Sequence, residues 1–200
     1  WKTIRVDTLG VDLLTLDGQK ILGPKGVGAL YVRRTAALEA QQRGGNQERG
    51  LRSGTENVPL IGAFAVALRD AQKNEDAANK RIAKIRNTLL QEILRHLPDV
   101  VLNGAVGDER APNNLNISVP HLDGQMAVIA LSREGVAAST RSACDTNVEA
   151  PSHVLQALGV QEELMQCAIR ITLLPSATAR DAKRIAQILA HVAKRYRNMA

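Results

Sequence analysis

The chain reads as an α/β protein on three observations. Short apolar runs of strand length, Val11 to Leu16 and Gly28 to Val32, flank a loop punctuated by glycines. Longer segments carry apolar residues at three- and four-residue steps, the period of one buried helix face. From Pro98 onward, strand-like and helix-like segments alternate.

In order along the chain, "TIRVD" near the amino terminus is strand-like, and Val11 to Leu16 reads as a short buried strand that ends just before Lys20. Gly23 to Gly28, "GPKGVG", reads as a glycine and proline turn that lets backbone approach backbone closely. Asn57, with Pro59 in the first turn, predicts a helix through "VPLIGAFAVALRDAQ". A polar helix follows from about Glu75 to Leu97, with Ile82, Ile85, Leu89, Leu90 and Ile93 forming one stripe, and it is expected to bridge two domains. Beyond Pro98 the predicted elements are strands at "VVLNG" and "NLNISVP", a helix at "GQMAVIALSREG", and "VAAS" leading into a polar loop around Cys144. A short helix "PSHVLQALG" with Gly159 past its end, a strand "AIRIT" and a final helix capped by Thr178 and Asp181 and running to Arg197 complete the series. The expected organisation is 1–75 as part of a larger domain, 76–97 as a linking helix, and 98–200 as a small α/β domain with a mobile cysteine loop. No internal repeat or low-complexity segment interrupts it.

Composition narrows the function classes. Two hundred residues with 44% hydrophobic content supply a real core. The formal net charge of +6 would suit nucleic acid, but the Lys and Arg residues are scattered, only four residues are aromatic, and no RNA or DNA module is present, so no nucleic-acid partner is expected. No apolar run approaches the roughly 18 residues of a membrane span. Two cysteines, 23 positions apart, argue against a disulfide framework and suit a reducing, cytoplasmic compartment. The chain opens at Trp1 without a methionine and reads as a piece of something longer.

Several residues invite chemistry. Lys20 is either a solvated loop lysine or a ligand-facing one, because α/β folds place ligands at strand ends. "GPKGVG" resembles a phosphate loop only superficially, since Lys25 is followed by Gly26 and a strand rather than by Ser or Thr and a helix; Lys25 is expected to be solvated. Cys144, in the polar "STRSACDTNVEAPSHV", is expected to expose its thiol as a potential nucleophile, whereas Cys167, next to "AIRIT", is expected to be packed. A Cys144–His153 catalytic pair is disfavoured by the helix start between them, and His153 is expected to pack at that start. Zinc is disfavoured too, since Cys144, His153 and Cys167 match no paired-ligand spacing, and no metal is expected. Arg170, flanked by apolar residues, either snorkels at an edge or grips a carboxylate. Thr55 in "RSGTEN" reads as a helix cap, as an anion site, or as both.

The segments "VDLLTLDGQKILGPKGVGALYVRR", "GGNQERGLRSGTENV", "PNNLNISV", "RSACDTNVEAPSHVLQALG" and "IRITL" resemble, in order and spacing, the carboxy-terminal half of the cysteine desulfurases. The resemblance covers nearly the whole chain. It implies part of the large domain of a pyridoxal-phosphate-dependent, aminotransferase-like fold (fold type I) plus a small carboxy-terminal α/β domain. It implies removal of sulfur from L-cysteine to give L-alanine and a persulfide destined for iron–sulfur scaffold proteins or tRNA-thiolation acceptors. By the same resemblance Lys20 forms the Schiff base with pyridoxal 5'-phosphate, Asp17, Gly18 and Gln19 adjoin the cofactor, and Thr55 reaches the cofactor phosphate of a second subunit in a homodimer. Cys144 takes the sulfur, and Arg170 grips the substrate carboxylate.

The chain departs from the family at two of these places. The usual serine and histidine before the lysine are Asp17 and Gln19; Gln19 still offers a hydrogen bond, but a carboxylate at Asp17 repels a phosphate dianion unless it turns away or is neutralised. The family's ring-stacking histidine and the aspartate that pairs with the pyridine nitrogen have no counterpart in the sequence, so the chain is expected to be a fragment that lacks half the cofactor pocket and is inactive in isolation. A selenocysteine lyase or aminotransferase of the same fold, or a non-catalytic remnant, are the alternatives.

Overall fold

The structure, a computed structural model, describes residues 4–73, 75–140 and 152–197. It divides into two compact units, residues 2–75 and residues 76–200, each built on its own small antiparallel sheet.

The first unit opens on a single helical turn, α1 (Val6–Leu9), rather than on the strand expected of "TIRVD". Gly10 is the reason. In the left-handed conformation at φ 66°, it donates its N–H back to the Val6 carbonyl, a glycine stop that closes one turn despite the β-branched Val6. Strand β1 (Leu13–Asp17) then pairs antiparallel with β2 (Gly28–Val32) in a register running from Leu13 opposite Val32 to Asp17 opposite Gly28. The expectation of a buried strand is not met. Leu14 and Leu16 are half-buried, but Leu13 and Leu30 are each 47% exposed, because a two-stranded ribbon has room to cover only one of its faces. Helix α2 (Val58–Gln72) follows the predicted bounds, its first turn capped by the Asn57 side chain, which accepts from the Leu60 N–H at 3.2 Å, and Phe64 is its buried residue.

The second unit begins with α3 (Glu75–His96) and carries a three-stranded antiparallel sheet of order β3 (Val101–Leu102), β4 (Asn114–Ser118), β5 (Ala168–Thr172). Around it lie α4 (Gly124–Arg133), α5 (His153–Ala157), α6 (Glu162–Gln166) and α7 (Ala179–Arg197). Leu115 and Ile117 of β4, with Ile169 and Ile171 of β5, project from one face into a core shared with Ile82, Ile85, Leu89 and Ile93 of α3, Ala127 and Leu131 of α4, and Ala186 and Leu189 of α7. The stripe on α3 is therefore buried in the core of this unit, and α3 is one of its packing layers. Burying each such Leu or Ile contributes roughly 1.5–3 kcal/mol.

Helix α7 starts in the reciprocal manner that Thr178 and Asp181 predict. The Asp181 carboxylate accepts from the Thr178 N–H at 2.8 Å and from its hydroxyl at 2.7 Å, while Thr178 Oγ1 accepts from the Asp181 N–H at 3.2 Å. The hydroxyl bond, then the backbone bond, holds the Asp181 carboxyl below the ordinary carboxylate range. A lowered folded value makes this contribution complete above the unfolded carboxylate value of about 3.9 and lost as pH falls through the folded one.

Two expectations follow for stability. Leu89, wholly buried, should cost about 2–5 kcal/mol when cut to alanine, whereas Leu94, 38% exposed on the same helix, should cost far less; the urea midpoints of Leu89→Ala and Leu94→Ala test the core assignment. Asp181→Asn should be less stable than the wild-type chain above about pH 4, with the difference closing on acidification. A gap that stays constant down to pH 2 would contradict the cap's ionic character.

Candidate active site

Strand β1 delivers Asp17 in extended conformation to the start of a 3-10 turn, Gly18–Ile21, and the turn presents Lys20 to solvent. The Asp17 carboxylate caps that turn: it accepts from the Gln19 backbone N–H at 3.1 Å and from Gln19 Nε2 at 3.0 Å. Its charge is thereby met by two donors of the neighbouring residue. Behind the lysine, the Gly23 N–H reaches the Gly18 carbonyl at 2.8 Å and the Gly18 N–H reaches the Val27 carbonyl at 2.9 Å. A Cβ on Gly18 would stand 2.8 Å from the Val27 oxygen, and one on Gly28 would run into the Leu16 carbonyl, so the glycines of this loop serve close backbone approach. Lys25 is exposed, in keeping with a solvated residue.

Thr55 is exposed and two residues short of α2. Asn57, adjacent to the first helical residue, is the cap; the cap reading of Thr55 falls, because its side chain lies too early to reach the open N–H groups. The loop leading to it holds Glu48 and Arg49 consecutively at φ 50° and 61°, a left-handed pair of non-glycine residues. An aldehyde cofactor bearing a phosphate fits what residues 2–75 offer: a primary amine on Lys20 with no partner among the described residues, an unused amide hydrogen on Gln19, and a free hydroxyl on Thr55.

Residues 76–200 supply a separate feature. The strand period of two that sends Leu115, Ile117, Ile169 and Ile171 into the core sends Asn114, Asn116, Ser118 and Arg170 to the opposite face. Asn116 stands directly opposite Arg170 on β5, the Asn103 N–H donates to the Asn116 carbonyl at 3.0 Å just beyond β3, and Ser139 bridges the outer side of Arg170 through backbone bonds of 3.0 and 2.6 Å. Asn103, Asn116, Arg170 and Ser139 thus form a row across the sheet. Asn103, Asn116 and Arg170 of this row line an open cleft of about 360 Å³, to which Val154, Leu155, Leu158 and Glu109 also contribute.

Two guanidinium groups line this cleft, and they differ in what they have left to give. Arg110 donates to the Ala105 carbonyl at 2.7 Å, to Asn114 Oδ1 at 3.4 Å and to the Asn103 carbonyl. Burial pushes it below its usual value, and the neighbouring Arg86 acts the same way. Arg86 is spent likewise, on the carbonyls of Ala111 at 3.0 Å and Gly107 at 3.3 Å and on Asn87 Oδ1. Both hold the 103–111 loop together. Arg170 is half-buried, and its guanidinium has no partner among the described residues. A fork held ready for a carboxylate and an edge snorkel are both compatible with that position.

Cys144 lies outside the described residues. Cys167, expected to be packed, is half-buried where it ends α6, and its carbonyl accepts from the Val119 N–H at 3.0 Å. His153 begins α5 as expected but is exposed rather than packed, since one turn of helix leaves its first residue uncovered. Among the described residues no group of three or more His, Cys, Asp and Glu is placed to hold a metal ion, and no helix is long and apolar enough to cross a membrane. Sequence reasoning missed Asn103, Asn116 and Arg110. The signal for Asn116 is present in "NLNIS", whose alternation puts polar residues on one face of the predicted strand.

The chain is 36% identical over 197 residues to a cysteine desulfurase IscS of Methanosarcina thermophila, covering 98% of this chain and 48% of that protein. Among solved structures, a NifS-like protein superposes with a TM-score of 0.82 at 31% identity, covering 96% of this chain and 48% of its own; SspA in complex with cysteine gives 0.60 at 30%, covering 88% and 47%. The chain spans about half the length of the curated relatives it matches. The aminotransferase class-V model matches residues 2–185. With that match over most of its length, the chain belongs to the aminotransferase class-V family.

Proposed function

We propose that the protein carrying this chain is a cysteine desulfurase, which takes the sulfur from L-cysteine, releases L-alanine, and leaves the sulfur as a persulfide on Cys144 for an iron–sulfur scaffold protein or a tRNA-thiolation acceptor. The observation that carries the reading is Arg170: a half-buried arginine whose guanidinium has no partner among the described residues, in a cleft whose other arginine donates to three acceptors. A site of that kind suits an amino-acid substrate, whose carboxylate accepts two parallel hydrogen bonds from the fork. The names of the relatives support the same substrate class.

Pyridoxal 5'-phosphate, when bound, supplies the electron sink that labilises bonds at the substrate's α-carbon. Lys20 is the residue that would hold the cofactor's aldehyde carbon, since a lysine amine at a strand end can condense with one. Once released, the same amine is placed to move the α-proton of the substrate. Gln19 and Thr55 would offer donors to the phosphate, and the Asp17 carboxylate accepts from the Gln19 backbone and side chain. Arg170 would orient the substrate, and the Cys144 thiolate would attack its sulfur: the new S–S bond forms as the substrate's carbon–sulfur bond breaks, the bonding electrons remain with the β-carbon, which takes up a proton, and return of a proton to the α-carbon completes alanine. Two subunits, each lending Thr55 to the other's phosphate, make a homodimer, and free thiols in this role belong in the cytoplasm.

Two measurements on the full protein test this. Lys20→Ala should abolish the cofactor's covalent retention after borohydride reduction; label retained on Lys25 would move the anchor to the wrong side of the "GPKG" turn. Mass spectrometry after treatment with L-cysteine should find one added sulfur on Cys144, and Cys144→Ala should end sulfur transfer without loss of bound cofactor, while Cys167→Ala stays active. Sulfur on Cys167, or transfer at the wild-type rate without Cys144, would favour a lyase or aminotransferase instead.

A further inference from the structure

The row across the sheet carries a hydrogen-bond chain whose direction is fixed at one end. The Ser118 hydroxyl lies 2.6 Å from the Leu164 carbonyl, an atom that only accepts, so its proton is committed there. Ser118 Oγ is then an acceptor toward Asn103, whose side chain stands 2.9 Å away, and the atom facing it is Nδ2. The same Nδ2 lies 2.8 Å from Asn116, so the Asn116 atom it meets is the oxygen Oδ1. What Asn116 has left is its own Nδ2, uncommitted among the described residues, on a side chain that lines the cleft directly opposite Arg170. Side chains paired across neighbouring strands stand about 5 Å apart, within reach of the two oxygens of one carboxylate.

A second observation marks the chain as selected for direction rather than for satisfaction. Asn103 is 3% exposed, and its Oδ1 is buried without a donor. Both hydrogens of its amide are spent on Asn116 and Ser118, and the orphaned oxygen is what remains. An apolar residue at this place would avoid the orphan but would leave the Asn116 amide free to turn over and show the cleft an acceptor.

We propose that Asn116 is a second carboxylate-binding residue beside Arg170, and that Ser118 and Asn103 are positioning residues that fix which end of its amide faces the cleft. The proposal rests on the reading of Arg170 as the holder of the substrate carboxylate. Arg170 supplies charge, and Asn116 supplies a neutral donor that admits only an acceptor at its place. Together they select an amino acid over the corresponding amine.

The test is calorimetric titration of the full, cofactor-loaded protein with L-alanine and with ethylamine, which differ by the carboxylate alone. Asn116→Ala should weaken L-alanine roughly ten- to hundredfold and leave ethylamine unchanged, the loss expected for one hydrogen bond to a charged group. Asn116→Asp, nearly the same shape, should weaken L-alanine further by setting one carboxylate against another, with ethylamine bound no worse. Asn103→Asp, which accepts from Asn116 Nδ2 and turns Oδ1 to the cleft, should reproduce the selective loss; if it does not fold, Ser118→Ala takes its place. Equal losses for both ligands would show a structural role only, and wild-type discrimination in Asn116→Ala and Asn116→Asp would overturn the assignment while leaving Arg170 untouched. If Arg170→Ala itself keeps full discrimination, the carboxylate site is elsewhere and both readings fall.

Discussion

A β-strand shows every second side chain to the same face, and in residues 76–200 that single constraint arranges both the core and the cleft. Leu115 and Ile117 on β4, with Ile169 and Ile171 on β5, are wholly or almost wholly buried against α3, α4 and α7, which pins the register of the sheet. A slip by one residue would bring Asn116 and Arg170 into that core and lift the aliphatic residues out. The apolar face therefore does more than stabilise the unit. It holds the polar row in alignment, and the position of Arg170 relative to Asn116 is as fixed as the packing behind them.

The lysine turn of residues 2–75 depends on a different restriction, close passage of backbone past backbone. Gly18 and Gly28 leave no space for a side chain where β1 hands over to the turn and β2 begins. The turn can then be short, and Lys20 emerges three residues after the strand ends with its amine in solvent. Asp17 and Gln19 form a unit of their own on this turn, the carboxylate accepting from the Gln19 backbone and side chain.

Much of this is written locally in the sequence. Asn57 with Pro59, Thr178 with Asp181, and Gly159 mark helix boundaries through short-range capping, and the structure places them as those patterns imply. The misreadings arose where a longer-range relation decides. "TIRVD" has strand residues, yet Gly10 further along closes a helical turn over Val6–Leu9. Val11 to Leu16 is apolar enough for a buried strand, but burial depends on what covers it, which no window of sequence contains. Asn103 and Asn116 are thirteen residues apart and become partners only through the pairing of β3 with β4. Arg170 could be singled out as unusual, but that Arg110 is engaged and Arg170 is without a partner among the described residues follows from loop carbonyls that only the folded chain brings near.

The amide chain across the sheet contains no titratable member: a backbone carbonyl, a hydroxyl and two carboxamides. Arg170 stands opposite Asn116 on the neighbouring strand, outside that chain. A recognition surface built from a histidine or a lysine would gain and lose its donor as the surroundings became more acid or more alkaline. The Ser118–Asn103–Asn116 chain itself is indifferent to such changes. Acidity can alter the ionisation of a thiol or an amine that performs chemistry, but the direction of this chain stays constant, which separates how the Asn116 amide is presented from the conditions under which a ligand reacts.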